Sequence, residues 1–254
     1  MRRPIVAGNW KMNKNITEAL EFITQLPDDV LKEKKVECVI CPPFIAINPL
    51  YNAIKETSLT IGGQNMHWEE KGAFTGEVAP GMLVASGCKW VIIGHSERRQ
   101  YFAENDVNVN LKIKSALKHD LQPIICVGEK LAEREANQTD MIVSSQVNMA
   151  LSELKINSSD AYKIVIAYEP VWAIGVGAKP CSSVEANRVI GLIRNVVKEK
   201  FSSDVADNMR ILYGGNVNPA NIKELMTQPE IDGGLVGGAS LKPDSFSELV
   251  RGSR

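Results

Sequence analysis

The chain has 254 residues, of which 44% are hydrophobic and 23% charged, and its formal net charge is −1. This composition is that of an ordinary globular protein, and a charge near zero gives no reason to expect a nucleic acid or an anionic membrane as partner. No apolar run is long enough to cross a bilayer, and the N-terminal residues lack the pattern of a secretory signal. We therefore expect a cytoplasmic protein in which any anionic ligand is held by local groups.

Five cysteines occur in the chain, an odd number that argues against a disulfide framework in a protein of this length. Cys38 and Cys41 have the CxxC spacing of a redox or metal pair. They lie, however, in a strand-like run, where residues three apart point to opposite faces of a sheet. No second CxxC or histidine pair completes a metal site. We therefore expect no metal and five reduced thiols, at Cys38, Cys41, Cys88, Cys126 and Cys181.

Short apolar or β-branched runs alternate with amphipathic segments along the whole chain. The runs predict strands that begin at Ile5, Val36, Leu59, Trp90, Gln122, Ile164, Arg210 and Gly234. The segments between them predict helices, among them residues 17–31, 107–118, 142–154 and 184–200. Apolar strands that alternate with amphipathic helices are typical of parallel strands covered by helices.

Eight such units in a chain of this length predict a (β/α)8 barrel. No linker, low-complexity segment or change of composition interrupts the pattern, so we expect one domain over residues 1–254. A doubly wound open sheet is the alternative architecture, but no GxGxxG motif follows the first predicted strand. In a barrel, the residues just after each strand gather at one face, and chemistry is sought there.

Several polar residues and two diglycines follow the predicted strands. In chain order they are Asn9 and Lys11, His95 with Ser96 and Glu97, Glu169, Gly214, Gly215 and Asn216, and finally Gly237 and Gly238. Two diglycines at successive late strands match the place where barrels bind phosphate through backbone N–H groups, although each is also consistent with a plain turn. Lys11, taken alone, is equally consistent with a solvated surface charge.

Glu169 ends a buried-looking strand and is followed at once by a stiff apolar turn, residues 170–175. A carboxylate beside a segment able to fold over it and exclude water is prepared to act as a base. A glutamate that only ends the strand and contacts solvent is the alternative interpretation. The other strand-end residues favour the base.

His95 stands immediately before a helix-like segment, residues 96–102. The positive end of a helix lowers the pKa of an imidazole, so we expect His95 to be neutral at pH 7 and to donate a hydrogen bond. The alternative is a histidine that only satisfies a backbone carbonyl. His67 and His119 fit an exposed loop and a helix end, and neither receives a role.

Six segments of the chain resemble the triosephosphate isomerase family. They are residues 9–11, 64–65, 72–77, 92–99, 167–175 and 236–241. Any one of them would be suggestive, but all occur in order, at family-like spacing, from the first predicted strand to the last. The resemblance covers essentially the whole chain.

The resemblance implies an enzyme that interconverts dihydroxyacetone phosphate and D-glyceraldehyde 3-phosphate, in glycolysis and gluconeogenesis. Glu169 would move a proton between two neighbouring carbons, and neutral His95 would polarise the carbonyl and shuttle hydroxyl protons, a division of labour known for this family. Lys11, with Asn9 beside it, would bind the substrate and stabilise the negative oxygen of the enediolate.

Supporting and phosphate-binding residues follow from the same resemblance. Glu97 would hold Lys11, and Ser96 is the second supporting residue. The phosphate would accept hydrogen bonds from main-chain N–H groups of Gly175, Asn216, Gly237 and Gly238. No metal or organic cofactor is implied, because the carbonyl of the substrate serves as the electron sink.

A lid is also implied, because the enediolate can lose phosphate if water is admitted. Its residues would be Pro170, Val171, Trp172, Ala173, Ile174, Gly175, Val176 and Gly177. The chain departs from the family at Pro180, which has no N–H, and at Asn216, where a serine is usual. In the family that serine and the tyrosine matching Tyr213 latch the closed lid. We expect Asn216 to supply the replacement latch, for example by accepting from the Gly177 N–H.

The resemblance further implies a homodimer. Residues 64–77, with Thr75 near the tip, would enter the neighbouring subunit and support Asn9, Lys11 and His95. A free surface loop is the alternative, although long loops without secondary structure are usually functional.

Three other functions are weighed against isomerisation. A Schiff-base aldolase needs a desolvated lysine near strand six, where this chain has Glu169. Metal-dependent epimerases need histidine and carboxylate ligands on several strands, and only one of the three histidines lies at the rim. A non-catalytic binding or adhesion protein would be indicated by the loss of Glu169, His95 or Lys11, and all three are present.

Overall fold

The computed structural model describes residues 2–175 and 180–254. Within these ranges eight strands form a closed barrel in which sequence neighbours pair in parallel and the last strand closes on the first. The strands are β1 Ile5–Asn9, β2 Glu37–Cys41, β3 Thr60–Gly63, β4 Cys88–Ile93, β5 Gln122–Val127, β6 Val165–Tyr168, β7 Arg210–Tyr213 and β8 Gly233–Val236. The predicted (β/α)8 barrel is confirmed, and closure of the sheet excludes the doubly wound alternative.

Thirteen α-helices occur in the described ranges, and most of them connect one strand to the next. They are α1 Ile16–Thr24, α2 Asp28–Leu31, α3 Phe44–Ile54, α4 Pro80–Ala85, α5 Ser96–Tyr101, α6 Asp106–Lys118, α7 Leu131–Glu135, α8 Thr139–Ala150, α9 Ser158–Ala161, α10 Ser183–Lys200, α11 Ser203–Asn208, α12 Ile222–Met226 and α13 Pro243–Gly252. Two 3₁₀ turns, Val171–Ala173 and Gly238–Leu241, follow β6 and β8.

The predicted helix over residues 17–31 is wrong in one respect, because the segment forms two helices. α1 ends with Gln25 as its C-cap, and Pro27 is the N-cap of α2. A proline disfavours the helical conformation of the residue before it, so the chain is extended here before it turns again. The helix predicted over 142–154 is shifted toward the N-terminus and ends at Ala150.

Two buried layers follow from the alternation of side chains along each strand. The inner layer fills the barrel and contains Ile5, Ala7, Val39, Cys41, Trp90, Ile92, Ile124, Cys126, Val165, Ala167, Leu212 and Leu235. Cys38 belongs to the outer layer, between strands and helices, so it is separated from Cys41 as predicted. All five cysteines lie in the described ranges and are free and buried. Burial raises the pKa of the Cys38 thiol to about 12.

The predicted exposure of His67 is wrong. His67 is only 8% exposed, since its ring stacks on Trp68 and also packs on Phe74, each at a centroid distance of 4.2 Å. Its Nδ1 accepts the backbone N–H of Glu69. The loop of residues 64–77 therefore has a small cluster of packed rings, which the sequence pattern did not indicate. His119 lies at the end of α6, as predicted.

In the described part of the chain, no helix is long and apolar enough to cross a membrane.

Candidate active site

The carboxyl ends of the strands surround a cavity of about 360 Å³. Most residues that the sequence predicted for catalysis and for phosphate binding line this cavity. They are Asn9, Lys11, His95, Glu169, Gly175, Asn216, Gly237 and Gly238. Ser96 and Glu97 stand behind this lining and bond to Glu169 and Lys11, respectively. Of the predicted lid, Val176 and Gly177 lie outside the described residues.

Glu169 is held as a carboxylate at the end of β6. It is 2% exposed, its Oε2 accepts the backbone N–H of Ser96 at 3.0 Å, and its Oε1 lies 3.0 Å from Nε2 of His95. Burial raises the pKa of Glu169, but His95 and the Ser96 N–H lower it further, so the net direction is downward. Both oxygens are thus occupied by protein donors, and the group is ionised.

His95 is the N-cap residue of α5, so its position at a helix start is as predicted. Its Nδ1 accepts the backbone N–H of Glu97 at 3.3 Å, which leaves Nε2 as the nitrogen that carries the proton and donates to Glu169. This hydrogen-bond pattern is that of a neutral imidazole.

The direction predicted for the pKa of His95 is wrong in this arrangement. Burial lowers the pKa of His95, but the Glu169 carboxylate against Nε2 raises it, and the net direction is upward. The sequence placed the ring at a helix terminus but gave no sign that a carboxylate from another strand would face it. The nearby carboxylate charge therefore outweighs the effect of burial on the pKa of His95.

Lys11 is fixed at both its backbone and its side chain. Its φ of 52° is in the left-handed region, and its N–H donates to Oδ1 of Asn9 at 3.0 Å. Its Nζ lies 2.6 Å from Oε1 of Glu97, the contact that the family resemblance implied. One carboxylate, that of Glu97, and one strained backbone turn therefore hold the ammonium at the edge of the cavity.

Gln64 is a supporting residue to which the sequence analysis gave no role. Its Nε2 donates to the carbonyl of Lys11 at 2.8 Å and to that of Cys41 at 2.9 Å. It ties the strained turn after β1 to the end of β2. Gln64 is the first residue of one of the segments that resemble the family. Its hydrogen-bond partners are backbone carbonyls of distant residues, and contacts of this kind cannot be predicted from the sequence.

Glu129 is a second residue that the sequence analysis missed. It is fully buried after β5, and its carboxylate accepts from the indole Nε1 of Trp172 at 2.7 Å and from the hydroxyl of Tyr168. The backbone carbonyl of Glu129 also accepts the N–H of Val171 at 3.1 Å. Glu129 therefore anchors the first residues after Glu169, where the lid was predicted to begin.

The two glycines that follow β7 are required there for reasons of space. A Cβ at Gly214 would lie 2.8 Å from Cγ of Glu169, and one at Gly215 would lie 2.2 Å from the hydroxyl of Tyr213. A Cβ at Gly237 would meet the side chain of Lys11 at 3.5 Å, so this backbone lies directly beside the ammonium stem. The backbone after β7 and β8 therefore lies at the cavity with no side chain between it and the site.

Asn216 is exposed, and its side chain already has a neighbour on its own loop. Its carbonyl accepts from Nδ2 of Asn221 at 2.7 Å, and its Oδ1 lies 3.4 Å from Nδ2 of Asn218. The buried hydroxyl of Tyr213 has no hydrogen-bond partner among the residues described. The predicted latch between Asn216 and Gly177 involves a residue outside the described ranges and stays a prediction.

Over residues 2–175 and 180–254, no group of three or more His, Cys, Asp or Glu side chains is placed to hold a metal ion. The groups that line the cavity include a carboxylate, an imidazole, an ammonium and backbone N–H groups. A closed parallel barrel with such a set at the carboxyl ends of its strands has the arrangement of the (β/α)8 barrel enzymes.

Comparison with known proteins gives the particular family. The sequence model of the family described as triosephosphate isomerase matches residues 4–253. The chain is 52% identical to the triosephosphate isomerase of Clostridium tetani over 250 residues, which cover 98% of this chain and 96% of that protein. It is 49% identical to those of Clostridium botulinum strain Langeland and Alkaliphilus oremlandii, each over 98% of this chain and 99% of the relative. The chain belongs to the triosephosphate isomerase family, and it is an enzyme, an intramolecular aldose–ketose isomerase.

Proposed function

We propose that the enzyme interconverts dihydroxyacetone phosphate and D-glyceraldehyde 3-phosphate by proton transfer through an enediolate, with Glu169 as the base. The observation that carries the proposal is the convergence of Glu169, His95 and Lys11 on one cavity, each from a different strand end. The names of the relatives, all triosephosphate isomerases, support the same substrates. The reaction would place the enzyme in glycolysis and gluconeogenesis.

The first step requires Glu169 to change partners. Its carboxylate leaves the Ser96 N–H and His95, both at 3.0 Å, and takes a proton from the carbon next to the substrate carbonyl. Two of the groups that lower its pKa, His95 and the Ser96 N–H, are lost in this move, while burial, which raises the pKa, is retained. The carboxylate therefore becomes a stronger base as it reaches the substrate. It then returns the proton to the neighbouring carbon, so no net charge is transferred.

His95 and Lys11 stabilise the charge that develops on the substrate oxygens. Once Glu169 has moved, the Nε2 proton of His95 is free to bond the carbonyl oxygen, because Nδ1 is occupied by the Glu97 N–H. A neutral donor of this kind polarises the carbonyl and passes protons between the two oxygens. The Lys11 ammonium, with Asn9 beside it, offsets the charge of the enediolate.

The phosphate is held by backbone groups that line the same cavity. The cavity is lined by Gly175, Asn216, Gly237 and Gly238. In the proposal, the backbone N–H groups of these residues donate hydrogen bonds to the phosphate. A protein with a net charge of −1 has no overall field for attracting an anion, so these groups and Lys11 supply the local attraction. Closure of the lid over the phosphate would exclude water from the enediolate.

Homodimer formation is part of the proposal. Large apolar side chains are exposed in the segments that follow β1, β2, β3 and β4, which are four neighbouring strands of the barrel. They include Met12, Phe44, Ile45, Phe74, Met82, Tyr101 and Phe102, with exposures from 40% to 95%. Adjacent exposed apolar side chains favour burial against a second protein surface. Thr75 lies next to Phe74 at the tip of the loop predicted to enter the partner.

A coupled assay of both reaction directions tests the function. Wild-type protein should turn over both triose phosphates, and Lys11→Met should lower kcat/KM by about a hundredfold or more, since it removes the only lysine lining the cavity in the described structure. Lys14→Met is the matched control, because Lys14 lies over the rings of Trp10 and Phe22 and not in the cavity. Wild-type protein without turnover, or equal activity of both variants, would contradict the proposal.

A further inference from the structure

The backbone just before His95 is held from both sides by charged side chains. Gly94 has a φ of 77°, in the left-handed region. Its N–H donates to Oε1 of Glu104 at 3.1 Å, and its carbonyl accepts from Nε of Arg99 at 2.8 Å. A glycine has no side chain to pack, so its direction is set by these two bonds. The peptide that leads into His95 is therefore clamped.

Arg99 has two further contacts besides its hydrogen bond to the carbonyl of Gly94. Its Nη2 donates to the carbonyl of Cys126 at 3.3 Å, and its Nη1 pairs with Oδ1 of Asp106 at 2.6 Å. One guanidinium thus joins the end of β4, the body of β5 and the first residue of α6. In the barrel register Cys126 pairs with Ala167 of β6, two residues before Glu169. The contacts of Arg99 connect the turn that carries His95 to the strands beside Glu169.

We propose that Arg99 is a positioning residue of the active site, which sets the placement of the His95 ring and of the Ser96 N–H relative to Glu169. The inference rests on the proposed roles of His95 and Glu169. Arg99 does not line the cavity, so it acts only through the Gly94 peptide and the carbonyl of Cys126.

The geometry needs a guanidinium and not only a positive charge. Three nitrogens of Arg99 point to three separate acceptors on two strands and one helix, a pattern that a planar fork meets and a single ammonium does not. If one carbonyl is released, the left-handed Gly94 can rotate, and His95 moves with it. A displacement of about 1 Å in a reacting group costs on the order of a hundredfold in rate.

Arg99→Lys tests the proposal, with Asp106→Asn as the matched control. The lysine keeps the charge but loses at least one carbonyl contact. Asp106→Asn removes the ion pair and leaves both carbonyl contacts in place. We expect Arg99→Lys to lower kcat by about tenfold or more with KM changed by less than about threefold. The Nε2–H signal of His95 in NMR spectra should shift in that variant, while Asp106→Asn should keep both the signal and the kcat even if it melts earlier.

The outcomes separate a positioning role from a structural one. A kcat of Arg99→Lys close to the wild-type value would overturn the inference. A decrease of kcat in both variants, in proportion to the decrease of their melting temperatures, would overturn it as well. If Arg99→Lys does not fold, Arg99→Gln, whose amide can still bond one carbonyl, takes its place with the same criteria. Wild-type protein without isomerase activity would instead contradict the proposed function. In that case the NMR signal of His95 still decides whether Arg99 positions the ring.

Discussion

Replacing Glu169 by aspartate is the most informative change that can be made to this site. The substitution keeps the carboxylate and its charge but draws it back by one C–C bond, about 1.5 Å. In the structure each oxygen has a single protein donor at 3.0 Å, so the shortened side chain loses both bonds unless the backbone follows it.

The backbone cannot follow. The N–H of Glu169 donates to the carbonyl of Val127 at 2.7 Å, and the carbonyl of Glu169 packs so closely on Gly128 that a Cβ there would lie 1.8 Å from it. The carboxylate is therefore withdrawn from its wild-type position by at least about 1 Å. A displacement of that size corresponds to about a hundredfold loss of kcat, or about 2.7 kcal/mol of transition-state stabilisation.

The measurement is kcat in the coupled assay, with circular dichroism and the melting temperature as checks on the fold. Glu153→Asp is the matched control, since Glu153 is exposed in the turn after α8, and its φ of 59° is one that aspartate tolerates. The control should keep wild-type kcat. If Glu169→Asp turns over substrate within about threefold of wild type, the base lies elsewhere and the reasoning is refuted.

Three further predictions concern the rest of the site. Glu169→Gln removes the carboxylate that raises the pKa of His95, so NMR titration should give His95 a lower pKa in the variant than in wild type; an equal or higher value would contradict the pairing. Shortening the loop of residues 64–77 around Thr75 should give a monomer of low activity by light scattering and assay, whereas a fully active monomer would show that the loop is dispensable. Asn216→Ala should weaken binding of a phosphate analogue and lower kcat by less than about tenfold, as expected for one hydrogen bond, and Asn216→Ser should restore only part of the loss because Pro180 still lacks an N–H. Unchanged affinity and kcat in Asn216→Ala would exclude it as the latch.

The barrel was predictable because its signal is repeated eight times. Apolar strands and amphipathic helices alternate, and an error of one or two residues at a boundary does not change the count. The strand predicted at Trp90 begins at Cys88, and the one predicted at Arg210 begins there. The break at Pro27 was available from the sequence as well, since the residue before a proline resists the helical conformation.

The residues lining the cavity were predictable for a different reason. In a parallel barrel the position after each strand end is a fixed place in space, so Lys11, His95 and Glu169 could be brought together without coordinates. What could not be predicted is how they contact each other and their supports. The pKa direction of His95 depends on which oxygen of Glu169 faces it, and Gln64 acts through two distant carbonyls.

Isomerisation in D₂O tests the central claim, that a proton is removed from carbon and returned by Glu169. If the proton passes to a carboxylate, it exchanges with solvent for part of the time, and deuterium enters the product at the carbon next to the carbonyl. We predict that ¹H NMR will show this deuterium with wild-type protein, and that Glu169→Gln will give neither deuterium nor product at a comparable rate. Product formed at the wild-type rate with no deuterium on carbon, or deuterium incorporation that persists in Glu169→Gln, would contradict the account.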